Sequence, residues 1–155
     1  MAKAVAGKLA GYETTFITRP EMNEDALKAL TDRLISIIPS FGGELVLQED
    51  WATKRLAYKI EKESRGRYTY LVYTGNGNIV AEIERNLRMN DFVMRFLSVN
   101  LAKEFEQDSF MKRREEIKAQ AKKREEEREA RREEREARRR SYDDSNDEMG
   151  ADAGE

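Results

Sequence analysis

Two apolar stripes of helical period constrain this chain more than any other feature. Leu27, Leu30, Leu34 and Ile37 recur at three- and four-residue spacing, as do Ile79, Ile83 and Leu87. Each set lines one face of a helix. Strand-like sequence surrounds both. Residues 11–18, GYETTFIT, are rich in aromatic and β-branched types and stop before Pro20. Between the stripes, Leu45 and Leu47 and then Leu56, Tyr58 and Ile60 alternate as on a strand, with a bulge between the groups. Ser64–Gly66 is expected to turn the chain into Tyr68–Tyr73, which is apolar on both faces like a central strand. Val93, Leu97, Val99 and Leu101 supply a last strand. Asn23 and Asn78 are placed to cap the helices, and Pro39 with Gly42-Gly43 ends the first. The order β-α-β-β-α-β defines an α+β, ferredoxin-like split βαβ fold. Right-handed crossovers then put both helices on one face of a four-stranded antiparallel sheet and leave the other face open.

The chemistry available is narrow. The 155 residues include no Cys and no His. Disulfides, thiolate and zinc sites, and catalytic triads that need either residue are excluded. No catalytic residue, metal site, cofactor or small-molecule substrate is expected, and zero Cys fits a reducing cytoplasm. The first ten residues, MAKAVAGKLA, lack the apolar core of a signal peptide, and no run of about 18 apolar residues would span a membrane.

Charge divides the chain into blocks. Residues 1–105 hold 15 basic and 14 acidic residues, residues 111–140 hold 14 and 9, and residues 141–155 hold 6 acidic and no basic ones. The expected organisation is a flexible extension (1–10), a folded ferredoxin-like domain (11–104), a charged extension of helical propensity (105–140) and an acidic disordered tail (141–155). Within the third block Arg124, Arg128, Arg131, Arg135 and Arg138 are spaced four, three, four, three. At about 100° per residue they form one ridge of a helix. Glu126, Glu129, Glu133 and Glu136 fall opposite. Such a segment is a solvated helix with pairs such as Glu127–Arg131, a phosphate ladder along an RNA groove, or a disordered stretch.

Several motifs have a plain reading beside a functional one. Lys54-Arg55-Leu56-Ala57-Tyr58 is either an RNA contact or a solvated strand with Tyr58 in the core. Arg65-Gly66-Arg67-Tyr68 is similar to the start of the RNA-recognition-motif signature and then departs from it. A free-standing single-strand RNA binder of that type would need Tyr68 or Tyr70 exposed on the open face. Gly75-Asn76-Gly77 lacks the third glycine of a dinucleotide loop, and a turn with a cap explains it. Arg85, Arg88 and Arg95 either pair with Glu82 or Glu84 or form a phosphate-binding edge continuous with Lys54 and Arg55.

Two blocks in combination resemble a known family. Lys54-Arg55-Leu56-Ala57-Tyr58-Lys59-Ile60 and Leu87-Arg88-Met89-Asn90-Asp91-Phe92-Val93-Met94-Arg95, with Tyr12-Glu13, Gly42-Gly43-Glu44 and Trp51, are similar to the bacterial ribosomal protein S6 family of the small subunit. The resemblance covers about residues 11–101. It implies a non-enzymatic ribosomal protein that binds the central domain of small-subunit ribosomal RNA together with ribosomal protein S18. It implies RNA contacts at Tyr12, Lys54, Arg55, Arg88 and Arg95. Lys59 stands where the family usually has proline. In this topology the second strand lies at a sheet edge, where a partner can add, so Trp51, Leu56, Tyr58 and Ile60 are expected to meet S18.

Overall fold

The structure, a computed structural model, describes residues 9–150. In chain order it contains β1 (Ala10–Thr18), α1 (Glu24–Ser40), β2 (Glu44–Ile60), β3 (Glu63–Gly75), α2 (Gly77–Arg88), β4 (Val93–Ala102) and α3 (Gln107–Gly150). The sheet order is β2-β3-β1-β4, with every neighbouring pair antiparallel. This is the expected ferredoxin-like arrangement, with β2 and β4 at the two edges.

Local chemistry sets the helix ends. The Asn23 Oδ1 accepts the Ala26 N–H at 2.7 Å, and Glu24 and Asp25 sit in the positive first turn of α1. At the other end Gly42 adopts φ +78°, which lets the Gly43 N–H return to the Ile38 carbonyl at 2.9 Å. The cap of α2 is Asn76 rather than the expected Asn78. Its Oδ1 accepts the Asn78 N–H at 3.0 Å, because the chain leaves β3 at Gly75 and needs its cap at the next residue.

The two sequence stripes pack together on one face of the sheet. Leu27, Leu30, Leu34, Ile37, Ile79, Ile83 and Leu87 form one cluster with Phe16, Leu71 and Tyr73. The other face carries a second, smaller cluster of Ile17, Leu56, Ile60 and Met94, with Tyr68 against it and no helix residue in it. The far end of the β2–β3 hairpin builds this cluster. The pairing of β2 with β3 shifts register three times, and bulges of this kind increase strand twist.

The hairpin turn lies at Glu61-Lys62, not at Ser64–Gly66. Both turn residues have positive φ, 48° and 70°, between the paired Ile60 and Glu63. Two-residue hairpin loops prefer this conformation because it matches strand twist, usually with Asn or Gly. Here the Arg19 guanidinium holds the Glu61 carboxylate at 2.5 Å. Gly66 sits within β3, buried. A Cβ there would lie 2.4 Å from Ile17 Cγ2 and 3.0 Å from Met94 Cε. Its lack of a side chain admits the second cluster.

Phe105 belongs to the folded domain rather than to the charged extension. Its N–H donates to the Leu9 carbonyl at 2.9 Å, and its ring fills the space beside Gly11. The compact unit therefore continues through Gln107, three residues past the expected boundary at 104. At the N-terminal end Leu9 and Ala10 are already tied in, so the expected extension of 1–10 shortens; residues 1–8 lie outside the described ones. Helix α3 falls in a second compact unit that begins at Asp108. It runs to Gly150, ten residues into the segment read as an acidic disordered tail; residues 151–155 lie outside the described ones. No described helix is long and apolar enough to cross a membrane.

Candidate nucleic-acid and partner interface

A bulge in β2 places the chemistry of the hairpin. Ala52 takes φ +59°, with its N–H donated to Asp50 Oδ1 at 2.9 Å. Asp50 pairs with Thr69 and Thr53 with Arg67, so three steps on β2 match two on β3. The extra residue re-phases the strand. Trp51 and Lys54 come to the same face, and Arg55 goes to the opposite one. The Trp51 indole stacks on Tyr70 with ring centroids 5.0 Å apart, and the Lys54 ammonium lies 5.5 Å from the indole centre. Tyr70 beneath is 5% exposed and donates its hydroxyl to Glu13 at 2.6 Å. On the other side of the hairpin Arg67 donates to Asp50 and lies 3.5 Å from Glu24. The hydrogen bond from Arg67 holds the Asp50 carboxyl below its ordinary range and raises the Arg67 guanidinium in return.

The open face is covered at one end and bare at the other. Leu56 and Ile60, expected to meet a partner, are instead 8% exposed within the second cluster. The twist of the hairpin turns them inward. Tyr58, two residues from each, remains 62% exposed and accepts a hydrogen bond from Arg95, whose guanidinium lies 5.6 Å from the ring. Leu97 is 65% exposed, and Val99 and Trp51 are exposed beside the same row of residues: Leu97 pairs with Thr15, and Thr15 with Tyr70 under Trp51. Sequence reasoning took Leu97 and Val99 for strand residues without a surface role. The signal was available, since every strand of a sheet with helices on one face only must turn alternate residues to the bare face.

The five residues expected to touch RNA do not gather into one patch. Lys54 and Arg95 lie on the open face with Trp51 and Tyr58. Arg88 covers Phe96 on the helix side, 5.7 Å from the ring, and Tyr12 is half-buried there against Tyr73. Arg85 is engaged by Glu82 at 2.6 Å, and that contact pulls the Glu82 carboxyl down to about 2. Of the two readings, Arg85 takes the ion pair with Glu82, and a continuous edge through Arg85, Arg88 and Arg95 does not form. Arg55 acquires an unexpected neighbour, Arg65, directly opposite on β3. Both are exposed, and neither has a hydrogen-bond or ion-pair partner among the described residues. Arg65 was missed because the turn was placed on it. The glycines at 75–77 serve the strand end and cap, and no acidic cluster able to hold a metal occurs among the described residues.

Comparison with known proteins settles the family. The family model for Ribosomal protein S6 matches residues 11–100. The chain belongs to the ribosomal protein S6 family. Among its relatives, the small ribosomal subunit protein bS6 of Geotalea daltonii is 48% identical over 93 residues, 60% of this chain and 73% of that one. The bS6 protein of Pelobacter propionicus is 40% identical over 110 residues, 71% of this chain and 85% of that one. The crystal structure of 30S ribosomal protein S6 from Thermotoga maritima aligns with a TM-score of 0.57 at 26% identity, covering 73% of this chain and 99% of that one. As an S6 protein the chain is a structural component of the small ribosomal subunit and not an enzyme. The family match stops at residue 100, before α3 begins.

Proposed function

We propose that this S6 protein binds the central domain of small-subunit ribosomal RNA jointly with S18, on ribosomes in the cytoplasm. The observation that carries the RNA part is the opposed pair Arg55–Arg65. Like charges directly across a strand pair destabilise a sheet. Two exposed guanidiniums with no carboxylate between them favour an anion, and Arg matches phosphate geometry in a way Lys does not. Lys54 and Arg95 supply further cations on the open face. Recognition on this scheme is by phosphate contact and RNA shape.

The bare apolar strip of Trp51, Tyr58, Leu97 and Val99 supports the S18 part. A row of exposed large side chains on one sheet face marks an interaction site more often than a solvent surface. It replaces Leu56 and Ile60 as the proposed docking residues. The rival, a free-standing single-strand RNA binder, is disfavoured, because Tyr70 lies under Trp51 with its hydroxyl engaged by Glu13 and Tyr68 is packed against the second cluster.

Arg65→Gln separates binding from folding. The change removes the like-charge contact, so the urea midpoint should stay level or rise slightly. Affinity for a central-domain RNA fragment at 0.1 M salt should fall by about tenfold, and the slope of log affinity against log salt should flatten by about one. Unaltered affinity and slope would remove the pair from the interface.

A further inference from the structure

Helix α3 contains a row of cations with no internal use. Arg124, Arg128, Arg131 and Arg135 lie on one ridge, about 5 Å apart along the axis at 1.5 Å per residue. None of the four makes a hydrogen bond or ion pair among the described residues. The expected pair Glu127–Arg131 does not form. Cations off the ridge behave differently: Lys122 lies 3.8 Å from Glu126, and Arg132 donates to Glu136 at 3.2 Å. Glu126 and Glu136 are thus engaged off the ridge, while the four ridge guanidiniums are left unpaired among the described residues. Glu127 and Glu134 border the row in the shallow clefts that Arg124, Arg128, Arg131 and Arg135 line, and they limit it to one narrow edge.

No apolar stripe accompanies the ridge, so the helix gains nothing by packing that side against a protein core. Its stability comes from the propensity of Ala, Glu, Lys and Arg and from the off-ridge pairs. A straight row of guanidiniums of this spacing fits a row of like anions of similar pitch. A protein surface with scattered carboxylates offers no such regularity, whereas a nucleic-acid strand presents one phosphate per nucleotide.

We propose that the edge Arg124–Arg128–Arg131–Arg135 of α3 is a second RNA contact, which lies along the phosphate backbone of a helical RNA segment and reads no bases. The proposal rests on the RNA-binding reading above and extends it to a segment outside the family match. Its signature is a salt-dependent contribution that depends on where the charges sit and not on how many there are.

The test uses the full chain with a rearranged variant, R128E/E129R/E133R/R135E, which spares the Arg132–Glu136 and Lys122–Glu126 pairs. Composition, net charge and length are unchanged, and only the ridge is broken. Helix content by circular dichroism should match the parent chain. With a central-domain RNA fragment the parent should bind, and the rearranged chain should show a salt slope flatter by about two. Equal slopes for the two chains would overturn the ridge and leave the RNA-binding reading standing. Failure of the parent itself to bind would overturn both. Equal slopes on RNA, with loss of binding to an acidic protein such as a poly-glutamate carrier, would assign the ridge to a protein partner and overturn the proposal.

Discussion

Leu56→Ala is expected to lower folding stability by about 2–4 kcal/mol, whereas Tyr58→Ala in the same strand changes it by less than about 1 kcal/mol. The two residues are equivalent in a simple alternating strand. The structure separates them. Leu56 lies within the cluster of Ile17, Ile60 and Met94, where removing three carbons leaves a cavity that the tight approach at Gly66 cannot close. Tyr58 stands in solvent and loses one exposed hydrogen bond and one cation–π contact with Arg95. Urea unfolding of both variants decides the matter. Equal midpoints would mean that the second cluster does not form.

Tyr58→Asp combined with Leu97→Glu is expected to weaken S18 binding by about a hundredfold or more while leaving the fold intact. Both side chains are more than half exposed, so neither substitution buries a charge in the free protein. In a complex both carboxylates would be desolvated against the partner, and Arg95, beside Tyr58, can neutralise only one of them. Truncating central apolar anchors typically costs about 2–4 kcal/mol, and an unpaired buried charge adds to that. Three kcal/mol corresponds to roughly a hundredfold. Leu56→Ala should by comparison retain partner affinity per folded molecule, because its side chain faces inward. A double variant that still captures S18 at parental affinity would remove the open face from the partner interface.

The fold was legible in the sequence where one period dominated. The stripes Leu27–Ile37 and Ile79–Leu87 became the buried faces of α1 and α2, and the order of elements determined the sheet topology. The family was legible in two compact blocks, Lys54–Ile60 and Leu87–Arg95, and the family match covers both. The site was less legible because it depends on twist and register. A turn built from Glu61 and Lys62 carries no glycine or asparagine, so Gly66 attracted the assignment and Arg65 was lost to it. The change of phase between Leu45–Leu47 and Leu56–Ile60 announced a bulge, but no residue type fixed its place at Ala52 or showed which cations it would bring to one face. The curl of the hairpin separated Leu56 from Tyr58, which were both expected at the partner surface. The exposure of Leu97 followed from topology alone, but a hydrophobic residue in a strand pattern does not declare which face it takes.

The central claim is that this S6 protein binds ribosomal RNA jointly with S18, which docks on the open sheet face. The most direct measurement is the affinity of the full chain for a central-domain RNA fragment, taken with and without S18, for the parent and for the Tyr58→Asp, Leu97→Glu variant. S18 should strengthen RNA binding of the parent by an order of magnitude or more and leave the variant near its unassisted affinity. Identical RNA affinity of the parent with and without S18, or equal strengthening of parent and variant, would contradict the account.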